Sequence, residues 1–150
     1  MTLSEKDFIE NTQEKMNFLV DRYGFEVPII ERTILYGTFT YKKNEIAIVG
    51  IWDIKEQAFE IKVALLDDNG NVPDVYKMND HGEIVIGYIT EFLMTKGIRD
   101  IGGRAKKTGN LFDDTIACFL FLAENYTPEL LKDGSAENFK GIQLKEDGRF

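Results

Sequence analysis

Cysteine and histidine are nearly absent from this chain of 150 residues, which contains only Cys118 and His81. A lone cysteine cannot form a disulfide within the chain, and one cysteine with one histidine cannot supply the ligands of a structural zinc site. No run of about 18 apolar residues occurs, which excludes a transmembrane helix, and the polar start is unlike a secretory signal. We therefore expect a cytoplasmic domain that uses neither a metal nor a cofactor.

Positive charge is also scarce. The sequence has 18 lysines and arginines against 26 aspartates and glutamates, which gives a net charge of −8. Because nucleic-acid-binding domains usually present a basic face, we expect no nucleic-acid partner. The acidity is consistent with ordinary solubility and also with a basic protein partner.

The hydrophobic pattern predicts an α+β fold, with an antiparallel β-meander packed against N-terminal and C-terminal helices. Apolar residues at steps of three and four indicate a helix over Leu3–Tyr23, and a dense apolar run indicates a buried helix over Leu111–Tyr126. Between them lie three segments rich in β-branched and aromatic residues, separated by breaks short enough for hairpins. These predicted strands are Thr33–Tyr41, Glu45–Ile54 and Phe59–Leu65.

The chain after the third strand gives a weaker pattern. Val72–Met78 could add a short strand, which its proline would confine to an edge of the sheet. Helical spacing over Val85–Lys96 favours a helix, with Asp80 and Glu83 as its capping box. The β-branched residues and Gly87 in the same segment favour a strand instead, so both alternatives stay open.

The predicted domain ends at residue 134. Thr127 and Pro128 can start a short last helix, and Gly134 can close it. The remaining residues, 135–150, are polar and predict a partly disordered tail. The residues expected at the centre of the core are Trp52, Phe119 and Leu122.

No combination of residues points to catalysis. His81 lies in an Asn-Asp-His-Gly turn, and Cys118 lies in the middle of an apolar helix, where a thiolate is disfavoured. The turn Asp67–Asn71 resembles a calcium loop only superficially, because position 12 of an EF-hand loop would be Met78. We therefore expect no catalytic residue, no metal ligand, and a buried, unreactive thiol.

The loop Gly97–Asn110 is rich in glycine and unusually basic for this chain. Such a loop before a helix can hold a phosphate through backbone N–H groups, although the Gly-Lys-Ser/Thr pattern of a P-loop does not occur in it. The alternative function is therefore a small ligand- or anion-binding domain, or an enzyme, with its site near this loop. The anion-binding residues would be Arg99, Arg104, Lys106 and Lys107.

The corner Phe18–Phe25 joins the first predicted helix to an aromatic-rich strand, and the next strand carries alternating isoleucines at Ile46 and Ile48. Over roughly residues 1–65 this pattern is similar to small acidic immunity-type proteins of bacterial polymorphic and contact-dependent toxin systems. The resemblance implies a non-catalytic protein that neutralises a toxin by covering or distorting its active site. It implies no particular site residues.

Charge indicates where a basic toxin domain would bind. The section Glu45–Glu83 has nine acidic and three basic residues, and turns and edges expose their side chains. An aromatic anchor would add the buried contact that charges alone do not provide. The predicted partner-binding residues are Asp67, Asp68, Asp74 and Asp80, with Tyr76 as the anchor.

Overall fold

An antiparallel sheet of five strands, in the order β1-β2-β3-β4-β5, is the centre of the fold. The computed structural model describes residues 3–34, 36–73, 78–98 and 108–143. The α+β class and the meander between N-terminal and C-terminal helices are confirmed. The elements are α1 (Glu5–Met16), α2 (Phe18–Asp21), β1 (Ile29–Arg32), β2 (Gly37–Lys43), β3 (Ile46–Asp53), β4 (Ala58–Leu65), β5 (Ile86–Gly87), α3 (Ile89–Thr95), α4 (Leu111–Tyr126) and α5 (Pro128–Asp133).

The first four strands are joined by short turns. Lys43 of β2 pairs with Ile46 of β3 across a two-residue turn, and Asn44 takes the positive φ of 51° that this turn requires. The β3–β4 ladder runs without a break in register from the pair Ile46–Leu65 to the pair Asp53–Ala58. These local turns hold the central strands in sequence order.

The two faces of the sheet carry separate clusters. Ile48 and Trp52 of β3 belong to the main core, which includes the buried sides of α1 and α4, and we call this side the helix face. Ala47 and Val49, which alternate with them, form a smaller buried cluster with Ala64 on the other side, the back face. The predicted core is confirmed, because Trp52, Phe119 and Leu122 are all buried.

Two predicted elements of the N-terminal half have different bounds. The first helix divides at Asn17 into α1 and α2. The strand predicted over Thr33–Tyr41 begins too early, because the N–H of Thr33 donates to the carbonyl of Tyr36 at 2.7 Å and closes the turn between β1 and β2. The sequence interpretation missed β1 altogether.

The segment between β4 and α3 corrects two further predictions. In Val72–Met78 the described ends form no strand: Met78 makes only an isolated bridge with Ile84, and residues 74–77 lie outside the description. Both alternatives for Val85–Lys96 are partly right, because the segment begins with the strand β5 and continues into the helix α3. The capping box predicted from Asp80 is wrong, and α3 begins instead where Glu91 Oε1 accepts the backbone N–H of Tyr88 at 2.9 Å.

The C-terminal helices α4 and α5 are confirmed, and Gly134 ends α5 in the left-handed region with φ 60°. The chain after Gly134 is not the predicted tail. Phe139 is fully buried and packs edge to face on Phe92, with 4.9 Å between the ring centres, and the backbone N–H of Ala136 donates to Glu45 Oε2 at 3.0 Å. The domain therefore continues beyond the predicted boundary, and residues 144–150 lie outside the described ranges.

Within those ranges, none of the helices combines the length and the apolar character needed to span a membrane.

Candidate functional site

The turn that follows β4, Asp67–Asn71, is built around one carboxylate, and we call it the acidic turn. Oδ1 of Asp67 accepts hydrogen bonds from the backbone N–H groups of Asn69 and Asn71, each at 2.9 Å. Asp68 is exposed and makes no hydrogen bond or ion pair with the described residues. Of these two predicted contacts, Asp68 is therefore available to a partner, whereas Asp67 maintains the turn.

The other predicted contacts lie in or beyond a second turn. Asp80 and His81 are both exposed in the turn formed by residues 79–83. Asp74 and Tyr76 lie outside the described residues. Asp67, Asp68 and Asp80 are thus exposed in two turns between β4 and β5, and their role in binding stays a prediction.

The sequence interpretation missed a strongly exposed apolar surface. All four residues of β1 are exposed. The sequence carries a signal for this strand, because residues 27–30 are Val-Pro-Ile-Ile, and an apolar run that contains a proline is typical of an edge strand. Five large hydrophobic side chains on β1 and its flanks are exposed, and we call this set the apolar edge. They are Val27 (74% exposed), Ile29 (47%), Ile30 (42%), Ile34 (102%) and Tyr36 (46%).

A groove of about 550 Å³ on the back face connects the apolar edge with the acidic turn. One end reaches β1 and the following turn, and the other end reaches the last residue of the acidic turn. Ile29 and Tyr36 of the apolar edge and Asn71 of the acidic turn therefore line the same groove. The residues of this back-face groove include Ile29, Glu31, Tyr36, Thr40, Asn71 and Val72.

A second groove, of about 570 Å³, lies between β4, α3 and α4, and we call it the β4 groove. Its walls are mainly apolar and include Ile89 of α3 and Leu122 of α4. Cys118 also lines it and is only half-buried. The prediction of a buried Cys118 thiol is therefore wrong, because its side of α4 faces the β4 groove.

The basic residues of the alternative site, Arg99, Arg104, Lys106 and Lys107, lie outside the described residues. At the described end of this loop, the backbone N–H groups donate hydrogen bonds to side chains of the chain itself. Asp114 accepts the backbone N–H of Thr108 at 2.7 Å and that of Gly109 at 3.0 Å, and Oδ1 of Asn110 accepts the N–H of Asp113 at 3.0 Å. These donors at the start of α4 are therefore bound to the chain's own side chains rather than open to an anion.

The shifted pKa values of the described chain mark structural contacts. A hydrogen bond to Asp113 raises the pKa of Lys15, and the hydrogen bond from Lys140 lowers the pKa of Glu45. Burial raises the pKa of Tyr41 to about 12. None of these three shifted groups lines either groove. The described residues contain no cluster of three or more histidine, cysteine, aspartate or glutamate side chains that could hold a metal ion.

Comparisons with protein-family models, with curated proteins and with solved structures found no match to this chain.

Proposed function

We propose that this chain is a non-catalytic protein-binding domain that holds a basic partner on the apolar edge, the back-face groove and the acidic turn. The observation that carries the proposal is the exposure of five large hydrophobic side chains on and beside one edge strand. Exposed apolar residues are normally scattered singly, and a concentration of them on one edge strand and its flanks is a feature of protein interfaces.

The partner class follows from charge. A net charge of −8 attracts a basic protein and accelerates its association, and the exposed Asp68 lies in the turn beside the groove. The apolar anchors would provide most of the binding energy, since charged contacts at the rim of an interface contribute more to the rate than to the affinity. An immunity protein that neutralises a toxin in the cytoplasm is the form of this proposal that the sequence resemblance suggests.

The test uses the full chain as bait in a lysate of the native host with chemical cross-linking, followed by binding kinetics on the purified partner. Ile34→Ser and Asp68→Lys are the test variants, because Ile34 is fully exposed and Asp68 has no partner among the described residues. Glu14→Lys is the matched control, since Glu14 is exposed on α1 and its reversal changes the net charge equally.

Asp68→Lys should slow association by about three- to tenfold at low salt and flatten its salt dependence. Ile34→Ser should mainly accelerate dissociation, because it removes an apolar contact. Glu14→Lys should change neither rate appreciably. A lysate that yields no saturable partner, or an equal effect of the Asp68 and Glu14 reversals, would contradict the proposal.

A further inference from the structure

β1 is the outermost strand of the sheet, and its outer edge has no neighbouring strand among the described residues. The N–H of Thr33 donates to the carbonyl of Tyr36 at 2.7 Å and therefore points toward β2. Because the direction of the backbone groups alternates along an antiparallel ladder, those of Ile29 and Glu31 also point toward β2. The N–H and C=O groups of Ile30, which lies between them, point away from the sheet.

The positions on either side of Ile30 continue this outward set. Arg32 presents both an N–H and a C=O outward, whereas Pro28, directly before β1, presents only a C=O, because proline has no N–H. Prolines occur in sheets where the missing N–H would face away from the neighbouring strand. The open edge therefore offers donors and acceptors at Ile30 and Arg32, and an acceptor at Pro28.

The exposed hydrophobic residues are distributed almost symmetrically about the middle of this edge. Val27 precedes the strand and is 74% exposed, and Ile34 follows it and is 102% exposed. Ile30, between them, is 42% exposed. A two-fold axis through Ile30 would bring the Val27 end of one copy to the Ile34 end of another, so a second copy of this chain matches the pattern of the edge.

Charge does not prevent two copies from meeting at this edge. A net charge of −8 makes the chains repel each other in general. β1 itself is neutral, because Glu31 and Arg32 cancel, and Glu31 is the only acidic residue between positions 27 and 43. Repulsion between two copies is therefore weaker at β1 than the net charge suggests.

We propose that β1 pairs antiparallel with β1 of a second copy about a two-fold axis at Ile30, so that the free chain forms a homodimer with one continuous sheet. In this register Ile30 exchanges both backbone hydrogen bonds with Ile30 of the second copy. The N–H of Arg32 donates to the carbonyl of Pro28 of the second copy. Such a contact is isologous, because the same surface of each copy meets itself.

Other positions of the axis fit less well. An axis at Glu31 sets two glutamates directly opposite each other, and an axis at Arg32 sets two arginines opposite each other, which like-charge repulsion disfavours. An axis at Ile29 sets the carbonyl of Ile30 against Pro28, which has no N–H to donate. An axis at Ile30 therefore satisfies both the backbone groups and the charges.

The inference goes beyond the proposed function and rests on it in one respect only, namely that the basic partner and the second copy would compete for the same edge. The partner would then bind the monomer, and dimerisation would regulate its access. Because the dimer is measured on the purified chain without any partner, its failure is distinguishable from failure of the proposed function.

The test is sedimentation of the purified full chain, which should pass from monomer to dimer between about 1 μM and about 1 mM. Ile30→Lys should weaken the dimer by at least about tenfold, because it sets two lysines opposite each other at the axis. Ile29→Lys is the matched control, since it makes the same charge change at a residue of similar exposure, 47% against 42%. Ile29 lies opposite Glu31 of the second copy in this register, so its replacement by lysine should not weaken the dimer.

A mixture of two variants tests the axis directly. Ile30→Glu alone should also weaken the dimer, because two carboxylates then lie opposite each other. An equal mixture of the Ile30→Lys and Ile30→Glu chains should recover it, because each lysine then lies opposite a glutamate. Urea unfolding, followed by the fluorescence of Trp52, should show that both variants fold, since Ile30 is exposed.

Three results would overturn the inference. A wild-type chain that stays monomeric at about 1 mM would mean that the edge does not pair with itself. Equal weakening by Ile29→Lys and Ile30→Lys would mean that two copies associate without this register. A mixture of the lysine and glutamate variants that stays monomeric would exclude an axis at Ile30.

Discussion

Replacing Asp67 and Asp68 separately should give different stabilities, although the two carboxylates are adjacent and both exposed. Asp67→Ala removes two hydrogen bonds to backbone N–H groups, each 2.9 Å long. At about 0.5–1 kcal/mol for each bond in an exposed turn, the free energy of unfolding should fall by about 1–2 kcal/mol. Asp68→Ala breaks no contact with a described residue and should change it by less than about 0.5 kcal/mol.

Urea titration followed by the fluorescence of Trp52 measures both changes, because this is the only tryptophan and it is buried in β3. With an m-value of about 2 kcal/mol/M, the Asp67→Ala midpoint should fall by about 0.5–1 M. Asp67→Asn, which keeps an oxygen acceptor, should recover part of that loss. Equal midpoints for the two alanine variants would refute the structural role of Asp67 and would make it as clean a probe of binding as Asp68.

Three further predictions concern the fold. Thr12 is fully buried and its hydroxyl has no described partner, so Thr12→Val should raise the free energy of unfolding by about 1 kcal/mol. Thr127→Val loses a hydrogen bond and should lower that free energy. Equal losses for the two variants in urea titrations would contradict this prediction. Phe119→Ala should lower that free energy by about 3–5 kcal/mol, and a loss below about 1 kcal/mol would place α4 outside the core. Because the contact with Lys140 lowers the pKa of Glu45 in the folded chain, its stabilisation is present above pH about 4.3 and is lost as the pH falls through the lower folded pKa. Glu45→Gln should remove that part of the acid dependence.

The parts of the fold that the sequence predicts are those whose pattern is local. Phe59–Leu65 alternates with a period of two, and Leu111–Tyr126 contains the dense apolar run Ile116–Leu122. The structure places both elements close to their predicted bounds. Phe139 shows the opposite case, since it is a single aromatic residue in a polar segment without periodicity. Its burial against Phe92 comes from tertiary packing, which no local pattern records.

The candidate site was predictable to the same extent. Turn chemistry correctly predicts that Asp67 and Asp68 are exposed, because Asn-Gly turns lie at the surface. It does not show that the Asp67 carboxylate is occupied by backbone N–H groups. The apolar edge was missed because exposure of Ile29 and Ile30 depends on β1 being the outermost strand, and strand order is a property of the whole sheet.

The composition of β1 supports a binding role for that edge. Proteins usually protect an outer strand with charges, proline or a covering element, because an open apolar edge promotes aggregation. Here Pro28 precedes the strand and Arg32 forms an ion pair with Glu5 at 3.0 Å, yet Ile29 and Ile30 remain exposed between them. Ile29 and Ile30 are each more than two-fifths exposed, so a lysine at either position would protect the edge and lose only part of an isoleucine's burial. Exposed isoleucines on an otherwise protected edge therefore support the proposal that a partner covers this edge.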